Sequence, residues 1–404
     1  MEIKYSDLIY NLMLFSIVVG FFLNSNQIST IVILILILVL AFNTKNEISF
    51  SKQSIILIVS SIILLLFGLY FKGISIAYTI LRFITVFGLY ILIKNRYFEK
   101  EHDRDTWFFR FMFFLLIISI IMTIIQGSEY FYFGLNREAN SSAMIVFMFF
   151  MYSNKKGKVT GIIMAFLFAL FFNGSRSYLA LMLLFYIISF LKKPINSIMT
   201  KFKLKKMTLI FCILFIMMAI FSYYWVNNVS VANVTAYHTG LNDESNRERF
   251  VANVKALEMM KNDDEIRIWG YGSNLLEELG IDNSSNSLAI YLGTRLVQPH
   301  NSLYNPILRM GILVGIIYLF IVAKLIDRYF SKDNLAYILP YVLNAMFVHS
   351  MFEMSWLVFL IIILSLKQNK YHFRKKKNTK EATEEKIMLY SKKYERMKYI
   401  GTNK

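Results

Sequence analysis

VQPHNSLYNPILRMGILVG, Val297 to Gly315, changes character partway along. Pro299, His300 and Asn301 suit a water-facing edge, whereas the residues from Ile307 on form an apolar run that lasts to Ala323. One arginine, Arg309, stands inside that run. A cation among residues fit for lipid is costly and marks a functional position by default. The stretch reads as the point where a water-facing segment enters a membrane.

Working outward, the whole chain supports that reading. Its 404 residues are 56% hydrophobic and 17% charged, with a mean hydropathy of +0.50. Soluble domains are about 45–50% apolar and about 25% charged. The fold class expected is therefore an all-α integral membrane protein. Apolar segments occur at about 7–23, 28–42, 54–71, 74–93, 108–126, 140–153, 159–172, 177–191, 207–226, 303–323, 335–349 and 350–366. A spanning helix needs roughly 20 such residues, so the flanks complete the shorter segments and about twelve transmembrane helices are expected. The first segment exits through FFLNSNQ, without a small-residue cleavage site, and a second span follows at once, so it reads as a span rather than a signal peptide.

Lysine and arginine fix the orientation. Loops after even-numbered spans carry eighteen of them, whereas the short odd-numbered loops carry only Lys72, Arg137 and Arg176. Both termini are expected inside the cell. The organisation expected is helices 1–9 over residues 1–226, an extracytoplasmic loop over 227–301, helices 10–12 over 302–366, and a basic cytoplasmic tail over 367–404. The tail holds thirteen Lys and Arg against four Glu, half of the net charge of +18. It suits anionic lipid headgroups, and no nucleic-acid partner is expected. Cys212, the single cysteine, can form no internal disulfide.

The long outer loop is soluble in character, with ten acidic residues against six basic ones. Within it, Arg247 to Glu265 has helical spacing of Phe250, Val254 and Leu257, followed by the glycine turn WGYGSN, Trp269 to Asn274.

Four arginines escape the charge rule or sit in apolar surroundings. Arg137 and Arg176 stand in outer loops, Arg309 lies about two turns into span ten, and Arg82 lies near the middle of span four. A lone arginine can snorkel to headgroup phosphate. Several near one face point to a shared anion, because the guanidinium stays charged and grips phosphate bidentately. His300 beside them can accept a proton near neutral pH. His349 and Glu353, at i and i+4, read as packing, and the run Asp263, Asp264 and Glu265 as a solvated surface. No cysteine–histidine spacing suits a metal and no phosphate-cradling glycine loop is present, so no metal or cofactor is expected.

Four motifs in this order resemble the Wzy-type polysaccharide polymerase and O-antigen ligase superfamily. GLNREANSSAM matches its short outer segment at Asn140, and NGSRSYLALMLL its Ser-Arg helix start at Ser175 and Arg176. NRERF through WGYGSN matches an outer-loop pattern at Arg247, Gly270 and Gly272. HNSLYNPILRMG matches an H-[NSQ]-x9-G signature at His300, Asn301 and Gly311. The ligase pattern then wants Gly, Thr or Tyr three residues later, where Val314 stands. The similarity covers roughly residues 130 to 320.

The resemblance implies a metal-independent glycosyltransferase with a GT-C-like bundle in the bacterial cytoplasmic membrane. Donor and acceptor would both be oligosaccharides on undecaprenyl diphosphate. An acceptor hydroxyl attacks the donor's anomeric carbon with inversion and expels the lipid diphosphate. His300 would take the acceptor proton. Arg137, Arg176, Arg309 and Arg247 would bind the diphosphate. Asn140, Ser175, Asn301, Arg82, Gly270 and Gly272 would contact substrate or support the site. A flippase and a chain-length regulator are the expected protein partners. The rival readings are an O-antigen ligase, a lipid-linked sugar flippase or other transporter, and a non-enzymatic scaffold.

Overall fold

Uninterrupted runs of Leu, Ile, Phe and Met can satisfy their backbone in lipid only by forming helices or closed barrels. Here they form helices. The structure, a computed structural model, describes residues 5–43, 59, 62–64, 66, 77–94, 97–99, 106–128, 131–135, 139–159, 161–163, 165, 168, 176–201, 206–228, 244–270, 299, 301–348 and 351–366. Among these residues there is no strand. The helices are α1 Tyr5–Phe22, α2 Asn26–Asn43, α3 Ala77–Lys94, α4 Thr106–Ile125, α5 Ala139–Lys156, α6 Arg176–Lys201 and α7 Lys206–Asn228. They continue with α8 Glu244–Asn262, α9 Asp264–Ile268, α10 Tyr304–Met310, α11 Ile312–Asp327, α12 Leu335–Asn344 and α13 Met354–Ser365.

Three stretches, Trp107–Ile125 in α4, Tyr178–Met199 in α6 and Lys206–Tyr224 in α7, are long and apolar enough to cross a membrane. The expected spans at 54–71 and 159–172 lie largely outside the described residues, as does the tail 367–404. Phe190, Leu183, Ile216, Met217 and Ile220 of α6 and α7 are exposed. An apolar patch of that kind suits a lipid-facing wall.

At the centre stand α5 and α13. Ser141 to Ser153 of α5 and Met354 to Leu364 of α13 are buried on every face. Helices apolar all round belong in an interior. α13 packs against α1, α2, α3 and α5. Small residues permit this closeness: Ser355 Oγ donates to Ser29 Oγ at 3.0 Å, and a Cβ at Gly20 would lie 2.2 Å from that same Ser29 oxygen.

Span ten departs from expectation. It is not one helix but two, α10 and α11, broken at Gly311, whose φ of 79° and ψ of 163° no helix accepts. The chain doubles back there. A Cβ on Gly315 would lie 2.5 Å from Ile307 Cα, whereas eight residues of straight helix would part them by about 12 Å. Gly315 thus lets α10 and α11 pack closely, and Gly311 is the reversal itself.

The last two segments are also shorter helices than expected. α12 has 10 residues and α13 has 12, about 15 and 18 Å of helix. The described residues between them, 345–348 and 351–353, are non-helical. Buried backbone outside a helix must find other partners. Ser302 Oγ donates to Val348 O and accepts from Met351 N at 3.0 Å. Tyr341 OH donates to Met351 O, and Tyr318 OH donates to Phe352 O at 2.7 Å.

A third non-helical stretch, 131–135, descends between helices in the same manner. Ser119 Oγ accepts from Gly134 N, and Ser142 Oγ from Phe133 N, each at 2.9 Å. Thr123 Oγ1 accepts from Tyr132 N at 3.3 Å. Leu135 N donates to Phe22 O at 2.7 Å. Ser119 lies six residues before the end of α4, so this loop dips about 9 Å below that end.

Candidate functional site

The two interrupted regions meet each other directly, with Arg82 of α3 beside them. There, Arg82, Ser302, Asn305, Pro306, Arg309, Met310, Tyr318, Phe352 and Glu353 line a pocket of about 280 Å³, its mouth included. Arg82 lies five residues into α3. Its Nη2 is 2.8 Å from Glu353 Oε1, and the two side chains are only 11% and 13% exposed. Such a pair offsets its desolvation cost only with good geometry and further partners.

Arg309 reaches the same pocket from α10. Its Nε donates to Asn305 Oδ1 at 3.0 Å, one helical turn back. Asn305 N in turn donates to Asn301 O at 3.1 Å. Fully buried Asn301 starts α10: its Oδ1 accepts from Leu303 N at 2.8 Å and Tyr304 N at 3.4 Å. That is the capping geometry Asn favours. Its Nδ2 is buried with no partner among the described residues.

The segment that ends at Gly270 is tied to this break. Gly270 has φ of +75°, and a Cβ on it would lie 2.5 Å from Arg309 C and from Gly311 N. Conversely, a Cβ on Gly311 would lie 2.2 Å from Ile268 O. Two backbones therefore touch where only glycine fits. Earlier in the same segment, α8 docks on α7 through Phe250 and Phe221, with ring centroids 5.1 Å apart, and through Asn253 Nδ2 to Ser222 Oγ at 3.4 Å. The helices α8 and α9 are thus seated on the bundle. Asp263 and Asp264 of the acidic run are exposed, and Asp264 pairs with Arg267.

Of the residues chosen from sequence, Arg82 and Arg309 come together, with Asn301 and Gly270 beside them. Arg176, Arg247 and Asn140 lie in α6, α8 and α5, with side chains outside the described set. His300, Arg137, Ser175 and Gly272 lie outside the described residues altogether. Sequence reasoning missed Asn305 and Glu353. For Glu353 a signal existed, since Arg82 in an apolar helix needs a counter-charge and Glu353 is an acid at the edge of an apolar span. Reading it as packing against His349 hid that partner.

Compared with protein-family models, curated proteins and solved structures, the chain matches none. Its class is thus set by composition and fold: a protein that is helical among the described residues, with helices long and apolar enough to cross a membrane and a pocket lined by two arginines and one glutamate.

Proposed function

We propose that the protein is a polymerase of the Wzy type, joining undecaprenyl-diphosphate-linked oligosaccharide repeats at the outer face of the bacterial cytoplasmic membrane. The full architecture in this reading has about twelve spans and both termini inside. The observation that carries it is the convergence of Arg82 and Arg309 on one pocket at a break in the helices. Diphosphate is already a good leaving group, so the protein must chiefly neutralise and hold it. That is the electrostatic task of preorganised cations. In this reading Arg309 and Arg82 bind the diphosphate, with Arg137, Arg176 and Arg247 joining them from the outer segments. His300, next to the buried Asn301, takes the acceptor hydroxyl's proton.

The test is genetic and chemical. His300→Ala and Arg309→Met at normal expression are expected to leave single repeats made and flipped but not chained. Normal chain lengths in both variants would overturn the reading.

One observation favours a second reading, a transporter for the same lipid-linked sugar. Broken helices meeting at a charged pocket are also how many transporters bind substrate. Accumulation of unflipped repeats in the inner leaflet of the same variants would select it. An O-antigen ligase would instead pass glycan to a different acceptor; Val314, which departs from the ligase pattern, is buried in α11.

A further inference from the structure

Glu353 occupies the N-cap position of α13, yet its carboxylate makes no capping hydrogen bond. Acidic residues at that position commonly accept from the free N–H groups of the first turn. Here the carboxylate points to Arg82 instead. It is an acid with two available partners, a guanidinium in front and a helix N-terminus behind.

The charge balance of the pocket makes this matter. Its lining holds two guanidiniums and one carboxylate, a net charge of one positive. A lipid diphosphate carrying a sugar bears two negative charges. After the sugar leaves, the terminal phosphate is free of its ester and gains a second ionisation near pH ~6, so the departing lipid diphosphate approaches three. The product is therefore more anionic than the donor. Two uncompensated arginines would hold it more tightly than the donor, which slows turnover, because binding that is not specific to the transition state does not raise kcat.

We propose that Glu353 is the exchange partner of Arg82. It holds the guanidinium in position before the donor enters, turns back to the N-terminus of α13 when a diphosphate oxygen takes its place, and reclaims Arg82 as the lipid diphosphate departs. The backbone that carries it is pinned at Met351 and Phe352, so the side chain can swing without the segment moving. This role rests on the proposal that the pocket takes a diphosphate. Glu353 is a positioning residue in it, acting through Arg82.

The experiment uses full-length protein in nanodiscs with inorganic pyrophosphate as the probe, alongside polymer turnover. Glu353→Gln is expected to bind pyrophosphate about tenfold more tightly than the wild type, with KM and kcat falling together. Glu353→Asp keeps the charge with a shorter reach and is expected to lie between the two. Arg309→Met is expected to lose pyrophosphate binding. If Gln and Asp variants that elute as folded protein bind pyrophosphate no tighter than the wild type, while Arg309→Met loses it, the exchange role is overturned and the diphosphate pocket stands. If neither the wild type nor any variant binds pyrophosphate, both fall.

Discussion

At Gly270 and Gly311 two backbones compete for the volume of one methyl group. Both residues have φ near +75 to +79°, and the Cβ of either alanine would sit within 2.5 Å of backbone atoms in the opposite strand of chain. Backbone strain of this type costs about 1–3 kcal/mol, and the overlap adds to it because backbone cannot rotate away. Gly127 separates the two effects. It has φ of +62° but open space around it. Gly127→Ala is expected to lower the thermal midpoint slightly. Gly270→Ala and Gly311→Ala are expected to lower it clearly more and to abolish chain growth, because Arg309 is displaced. Equal midpoints for all three variants would show that the contact carries no weight. These glycines were visible in the sequence as motif positions, but their juxtaposition was not, since 40 residues of chain lie between them.

Among the elements, the helices follow from long apolar runs, and Arg82 and Arg309 were legible because a cation is conspicuous in such a run. The breaks were not legible. Hydropathy is the same for a helix that continues and one that doubles back, so span ten read as one helix. Glu353 was hidden for the same reason, since only the non-helical turn between α12 and α13 brings it to α3. What stabilises these breaks is a few hydroxyls. Ser302 Oγ alone serves Val348 O and Met351 N. Ser302→Ala leaves both groups buried without that partner, at a cost of about 1–3 kcal/mol for each. The expected result is faster amide exchange from 345 to 353 and weaker pyrophosphate binding through misplacement of Glu353. Unchanged exchange at Met351 would refute this account of the turn. Ser142→Ala is the parallel case for the descending loop, with the change expected at the Phe133 amide.

Across the whole molecule, the end of the bundle opposite the pocket is closed by a single buried cation. Lys155, past the apolar run of α5, is 2% exposed. Its Nζ donates to Asn334 Oδ1 and, at 3.4 Å, to Leu366 O, and lies 4.8 Å from the centre of the Tyr337 ring. Asn334 Nδ2 donates to Tyr329 O at 2.8 Å and Leu364 O at 3.2 Å. The ends of α5, α11, α12 and α13 thus meet at one ammonium, and two of these helices reach the pocket, α11 through Tyr318 and α13 through its N-cap Glu353. Burial pulls the Lys155 pKa down from the usual 10.5 to about 8, with the Asp333 carboxylate opposing part of the drop. Between those two values the unfolded chain holds a proton that the folded protein has released, so stability rises with pH through the window. The slope is at most roughly 1 kcal/mol per pH unit. Lys155→Met removes this titration and leaves Asn334 Oδ1 and Leu366 O without the ammonium. The wild-type thermal midpoint, measured in detergent from pH 7.5 to 9.5, is expected to climb relative to that of Lys155→Met, whose own profile lacks this rise. Parallel profiles would mean that burial does not lower the Lys155 pKa in the folded protein. The lock at this end would then have to be sought in Asn154, whose Nδ2 donates to Tyr337 OH at 2.8 Å.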